Sequence, residues 1–154
     1  MLRVWRISGG GHPVFAGEGA RLFGGRWNSP GRSVIYCGSS FAICMLERLV
    51  WSGIGRVPKG DLYVTVDIPD ELVEHLDETK LPEWQEKDSE MARQFGDQWL
   101  DEARAAALSV PSAVTELDRN IIINPRHPDF GRITPSAERP VAWDSRLLGR
   151  KPAD

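Results

Sequence analysis

The stretch GGRWNSPGRSVIYCGSSFAICMLERLVW, residues 24–51, decides how this chain is read. It passes from a glycine-led turn, through the β-branched and aromatic run SVIYC (Ser33–Cys37), into a helix. Ser39 or Ser40 is placed to cap that helix, which should run to about Trp51 with Gly53 as its stop. Glu47 sits in the middle of it. At 100° per residue, Ile43, Cys44, Val50 and Trp51 lie within about 60° of Glu47, and Arg48 lies about 100° away on the solvent side. Glu47 therefore falls inside the apolar stripe. Burying an ionised carboxylate is costly unless it is paired or hydrogen-bonded. It is either a partly buried salt bridge, or a polar group at the edge of the core, or a carboxylate held in a cleft for a ligand. In the last case it could hydrogen-bond sugar hydroxyls or stabilise an oxocarbenium-like transition state.

Outward from this stretch, strands and helices interleave. VWRIS (Val4–Ser8) and DLYVTVDI (Asp61–Ile68) alternate as strands, and NIIIN (Asn120–Asn124) is a buried strand. Glu71–Leu76 reads as a short acidic turn or helix. Gly96–Leu108 reads as a helix with Trp99, Leu100, Ala103, Ala107 and Leu108 inward. Ser109–Val114 is extended because Pro111 disfavours helix at Val110. Pro125–Pro128 is a turn, and Ala142–Leu148 a final short element. The expected class is α+β, a mixed single domain spanning 1–154, rather than a doubly wound sheet.

Composition narrows the function. The chain has 154 residues, 41% hydrophobic and 27% charged, with a net charge of −3. That is an ordinary soluble balance, and it argues against a surface that coats nucleic acid. An RNA-cleaving activity is disfavoured for the same reason and for want of a His or Lys cluster. There are two cysteines and no metal-type spacing, so a reducing cytoplasm and no metal are expected. The N-terminus is no signal peptide, and no apolar run approaches a membrane span.

Two further residues belong with Glu47. Arg26 follows two glycines, which let a backbone approach a ligand closely, and its planar fork suits phosphate. Tyr36 lies near the end of SVIYC. Alone, the first is commonly just a turn and the second a half-buried sheet residue. Together with an inward carboxylate they suit a nucleotide-sugar ligand, with phosphate at Arg26, the base or nicotinamide at Tyr36 and ribose at Glu47. Glu83–Glu90, EWQEKDSE, reads as a solvated acidic segment or a place where a partner docks.

The order of GGRWNSPG (Gly24–Gly31), VIYCGSS (Val34–Ser40), LERLV (Leu46–Val50), LSVPSAV (Leu108–Val114), NIIINPRHPDF (Asn120–Phe130) and WDSRLL (Trp143–Leu148) resembles the RES-domain family. These proteins are toxins of bacterial toxin–antitoxin pairs. The landmarks cover nearly the whole chain. The arginine, glutamate and serine of the family's name are matched to Arg26, Glu47 and Ser112.

The resemblance implies a fold similar to ADP-ribosyltransferase toxins, a split, mainly antiparallel sheet with flanking helices. It implies a toxin that cleaves the nicotinamide–ribose bond of NAD+. The acceptor would be phosphate, water or a protein side chain. NAD+ would be a substrate, with no prosthetic group. Arg26, Tyr36 and Glu47 fall on the family's active-site positions. Arg6, Ser112 and Asn124 fall on further motif positions that would help hold NAD+. The implied partner is a helix-turn-helix antitoxin that covers the cleft, and a homodimer within such a complex stays open. The alternative is a non-catalytic module that binds a nucleotide or a partner without turnover.

Overall fold

The computed structural model describes residues 1–52 and 59–147. The expected helix stop at Gly53, and Leu148 of the last expected element, lie outside the described residues. Among these residues eight strands form one hydrogen-bonded sheet: β1 (Leu2–Ser8), β2 (Ile35–Gly38), β3 (Leu62–Ile68), β4 (Val73–His75), β5 (Ala107–Pro111), β6 (Arg119–Ile123), β7 (Thr134–Pro135) and β8 (Arg139–Pro140). The order is β4-β5-β6-β2-β1-β3-β7, with β8 also on β3. Every pairing is antiparallel except β4 with β5. Among the described residues three α-helices accompany the sheet: α1 (Glu18–Phe23), α2 (Phe41–Ser52) and α3 (Glu90–Glu102). The class is α+β, as the sequence implied.

The split in the sheet has a definite place. β1 and β3 pair over seven positions, Leu2 to Ser8 against Ile68 to Leu62, whereas β1 and β2 pair only at Trp5 and Gly38. Arg6 fills the gap. Its guanidinium donates to the carbonyls of Tyr36 at 2.9 Å, Val14 at 2.6 Å and Ala16 at 3.4 Å. A side chain thus supplies links that a ladder would have made from the backbone, where an unpaired polar group is expensive.

The two faces of the sheet follow from period-2 alternation. Val4, Ile35, Cys37, Val64, Val66, Ile121 and Ile123 form one cluster on the first face. Val34, Leu108, Val110 and Ile122 join Trp27, Trp84 and Trp99 of the overlying segments on the second, with Tyr36 against them. The β6 isoleucines are all at most 2% exposed, each contributing roughly 1.5–3 kcal/mol by burial. Gly38 occupies the second face where α2 arrives. A Cβ there would meet Ile43 Cγ2 at 2.5 Å and Cys44 Sγ at 2.7 Å. The missing side chain is what lets α2 pack against the sheet. Cys44 Sγ in turn donates to the Trp5 carbonyl at 3.1 Å.

Two expectations are corrected and a third is extended. The third helix starts earlier and stops earlier than Gly96–Leu108. Ser89 Oγ caps it by accepting from the Ala92 amide at 3.1 Å, and Ala103 ends it in the left-handed region at φ 49°. Ala107 and Leu108 are strand residues paired with Ile123 and Ile122, so tertiary pairing overrides the helical propensity of the alanine run. Glu71–Leu76 is a 3₁₀ turn at Asp70–Leu72 followed by strand β4, which pairs parallel to β5. The Glu83–Glu90 segment is anchored as well as solvated, because Trp84 and Ser89 are buried in it.

Removing the Arg6 clasp tests its weight. Arg6→Ala should lower the unfolding free energy by about 3 kcal/mol in urea titration, since three carbonyls lose their donor. Arg6→Lys should recover only part of that, because one ammonium does not span the same three acceptors. A loss under about 1 kcal/mol for Arg6→Ala would contradict the role.

Candidate functional site

Glu47 projects from the middle of α2 past Gly38 to the ends of β5 and β6. Its Oε1 accepts from Ser112 Oγ at 3.2 Å and from Asn120 Nδ2 at 2.9 Å. No ion pair holds it among the described residues. Arg48, expected on the solvent side, instead makes a two-pronged ion pair with Asp61, Nε to Oδ2 at 2.9 Å and Nη2 to Oδ1 at 3.0 Å. The Asp61 side chain is fully buried, so the arginine is held to neutralise it. Nor does the apolar stripe continue past Glu47. Val50 is 62% exposed and Trp51 81%. Glu47 is half-buried where the core gives way to an open edge.

Tyr36 shares the sheet face with Asn120. Tyr36 pairs with Ile122, and Gly38 with Asn120, so Tyr36 and Asn120 stand two positions apart on the same side. Its hydroxyl donates to Asn28 Oδ1 at 2.7 Å and accepts from the Trp27 amide at 3.1 Å. Burial holds the Tyr36 phenol well above its ordinary ionisation range. Gly25 lies against that ring: a Cβ on it would meet the Tyr36 hydroxyl at 2.6 Å.

Arg26 is placed by the same network. Gly25 and Asn28 bridge across it, and fully buried Asn28 donates to the carbonyls of Ala20, Ser29 and Arg32. Trp27 is buried, stacked on Trp84 with centroids 6.4 Å apart and edge-on to Phe95. Arg26 Nη1 donates to the carbonyls of Trp84 at 2.8 Å and Glu86 at 2.9 Å. These contacts occupy one nitrogen of the fork. Its Nε and Nη2 meet no partner among the described residues, which leaves a paired donor edge for an anion.

The structure thus places Glu47 with Ser112 and Asn120, and sets Tyr36, which holds the turn that carries Arg26, on the same face of the sheet as Asn120. It does not bring Arg6 or Asn124 to them. Arg6 lies on the opposite face with Val4 and Val64, spent on three carbonyls. Asn124 is buried beyond the other end of β6. It donates to the Leu100 carbonyl at 3.1 Å and accepts from the Arg126 amide at 3.0 Å. Asn120 is the residue that sequence reasoning missed. Alternation places Asn120, Ile122 and Asn124 on one face, but only the register with Gly38 shows which asparagine is near α2. A separate groove of about 460 Å³ lies between Trp5, Phe41, Tyr63, Thr65 and Arg139.

Cys37 and Cys44 are buried and free, their thiols pushed up to about 12 by burial, so neither suits a nucleophile. Among the described residues no group of three or more His, Cys, Asp or Glu gathers as a metal site, and no helix is long and apolar enough to cross a membrane.

Comparison with known proteins bears on this arrangement. The RES domain profile matches residues 3–144. The chain belongs to the RES domain family. A Sphingobium protein named Prs ADP-ribosylating toxin is 33% identical over 153 residues, covering 94% of this chain and 95% of that protein. Toxin Res of Photorhabdus laumondii is 32% identical over 141 residues, covering 90% of each. The crystal structure of the M. tuberculosis MbcT–MbcA toxin–antitoxin complex matches this RES domain with a TM-score of 0.70 at 20% identity. It covers 89% of this chain and 82% of the matched one, a likeness of fold.

The Tyr36 hydroxyl gives a pH-dependent test. A phenol whose ionisation is raised by folding contributes stability that is fully present below about pH 10 and is lost as pH rises above it. Tyr36→Phe should therefore cost about 2 kcal/mol at pH 8, with Asn28 and the Trp27 amide left unpaired, and the difference from wild type should shrink above pH 10. Urea unfolding from pH 8 to 11 measures both. A difference constant across that range would contradict the assignment.

Proposed function

We propose that this RES domain is a toxin enzyme that cleaves the nicotinamide–ribose bond of NAD+. The observation that carries the reading is Glu47, a carboxylate fixed by two neutral donors at an open edge, on the same side of the sheet as Tyr36. Similarity to the Prs ADP-ribosylating toxin and to Toxin Res supports it. NAD+ is the substrate, and no prosthetic group is needed. Nicotinamide leaves as a neutral ring, taking the electron pair of the broken C–N bond, so no strong general acid is required. Positive charge builds on the ribose, and Glu47 offsets it while binding ribose hydroxyls. The free edge of Arg26 takes the pyrophosphate or an incoming phosphate. The Tyr36 ring lies against the nicotinamide end. Ser112 holds Glu47.

Nicotinamide release by purified, partner-free protein tests this. Wild type should release it. Glu47→Gln should lower kcat by about 100-fold or more with the fold intact. Full release by Glu47→Gln, or none by folded wild type, would contradict the reading. Resolving the products with and without inorganic phosphate separates phosphorolysis from hydrolysis and from protein modification.

The partner in this reading is an antitoxin of helix-turn-helix type, seated over the same edge. Leu46, Val50 and Trp51 of α2, with Val114 and Leu117 of the β5–β6 loop, are exposed apolar residues on the two segments that meet at Glu47 and Ser112, and Leu117 is 95% exposed. Apolar surface of this kind marks a contact site. Trp51→Glu with Leu117→Glu should weaken the complex with the cognate antitoxin at least about tenfold, measured by calorimetry, and leave nicotinamide release unchanged. Unchanged affinity would contradict the placement.

A further inference from the structure

The two oxygens of Glu47 are treated differently. Oε1 takes both donors, Ser112 Oγ and Asn120 Nδ2. Oε2 meets no hydrogen-bond partner among the described residues. The Ser112 hydroxyl is itself fixed. It is fully buried and accepts from the amides of Val114 at 3.1 Å and Thr115 at 3.4 Å. With its lone pairs so engaged, its single proton is directed to Glu47. Asn120 comes from a different strand, opposite Gly38 on one side and Val110 on the other. The two donors therefore approach one oxygen from β6 and from the end of β5, while the carboxylate arrives on α2. A carboxyl group otherwise rotates broadly about its last torsion, and two donors on one oxygen stop that rotation.

We propose that Asn120 is a positioning residue that acts with Ser112. Together they clamp Oε1 and leave Oε2 as the oxygen presented to the ribose. The inference rests on the NAD+-cleaving reading above. It assigns Asn120, and not Asn124, as the asparagine that serves the site. An amide suits the position for a physical reason. It donates to a carboxylate without adding charge, whereas an aspartate of the same shape would set two negative groups against each other. A lysine or arginine would neutralise Glu47, and with it the field that acts on the ribose.

Four variants test it: Asn120→Ala, Asn120→Asp, Ser112→Ala and the Asn120→Ala/Ser112→Ala double. The clamp role expects kcat to fall at least about tenfold in each single variant, with KM for NAD+ within about threefold of wild type, because orientation and not affinity is lost. The double should fall no further than about threefold below the worse single, since one broken tether already frees the carboxylate. Asn120→Asp keeps the side-chain shape. A merely packing role would leave its kcat near wild type, and that result would overturn the proposal. A kcat loss in the double equal to the product of the two singles would also overturn it. Crystal structures of Asn120→Asp and Asn120→Ala read the clamp without turnover. The Glu47 carboxylate should leave its wild-type position in both. If it stays in place, the clamp is wrong even where NAD+ cleavage is real. If it moves in a protein that cleaves no NAD+, the clamp stands and the cleavage reading fails.

Discussion

The sheet of this RES domain is joined at its middle by a guanidinium. β1 and β2 meet at a single pair, Trp5 with Gly38, and Arg6 completes the joint by donating to three carbonyls. At that joint α2 packs on the face of the sheet. Gly38 sits at the one remaining pair and has no side chain, so Ile43 and Cys44 close on it directly. One turn further on, α2 clears the sheet and delivers Glu47 to the ends of β5 and β6.

A second constraint comes from the other side of the same strand. Tyr36 reaches back to the Gly25–Asn28 turn and fixes it through the Trp27 amide and Asn28. Trp27, Trp84 and Phe95 then pin the turn from beneath, and carbonyls of the acidic segment take one nitrogen of Arg26. Two residues of the short strand β2 thus set both ends of the site: Gly38 by absence, Tyr36 by hydrogen bonding. Arg26 and Glu47 are far from rigid residue types, yet each is held by neutral groups and left with one unengaged edge. A preorganised site for an anionic sugar nucleotide needs that combination.

Much of this was legible in the sequence, and the limits are physical. Alternation in DLYVTVDI and the isoleucine run gave β3 and β6, and serine before an apolar run gave α2, because those signals are local. The order of short motifs carried the family, and with it the fold. Periodicity also showed that Glu47 was out of place, but not what held it, since Ser112 and Asn120 lie 65 and 73 residues away. The same non-local logic hid the rest. Arg48 looked like a solvent residue because Asp61 is invisible from α2. Val50 and Trp51 looked like core because a helical wheel does not show where the sheet ends. Arg6 looked like a ligand group because only the structure shows the gap it fills, and Asn124 came from the motif order while Asn120 passed unnoticed, because register with Gly38 is not written in either.

The most direct measurement is a crystal structure of Glu47→Gln with NAD+ bound, the variant being chosen to slow cleavage. The account expects the nicotinamide ribose beside residue 47 and in reach of its unclamped amide end, the nicotinamide ring against Tyr36, and the pyrophosphate on the free edge of Arg26. NAD+ bound elsewhere, for example in the groove between Trp5 and Tyr63, with the Glu47 edge empty, would contradict it.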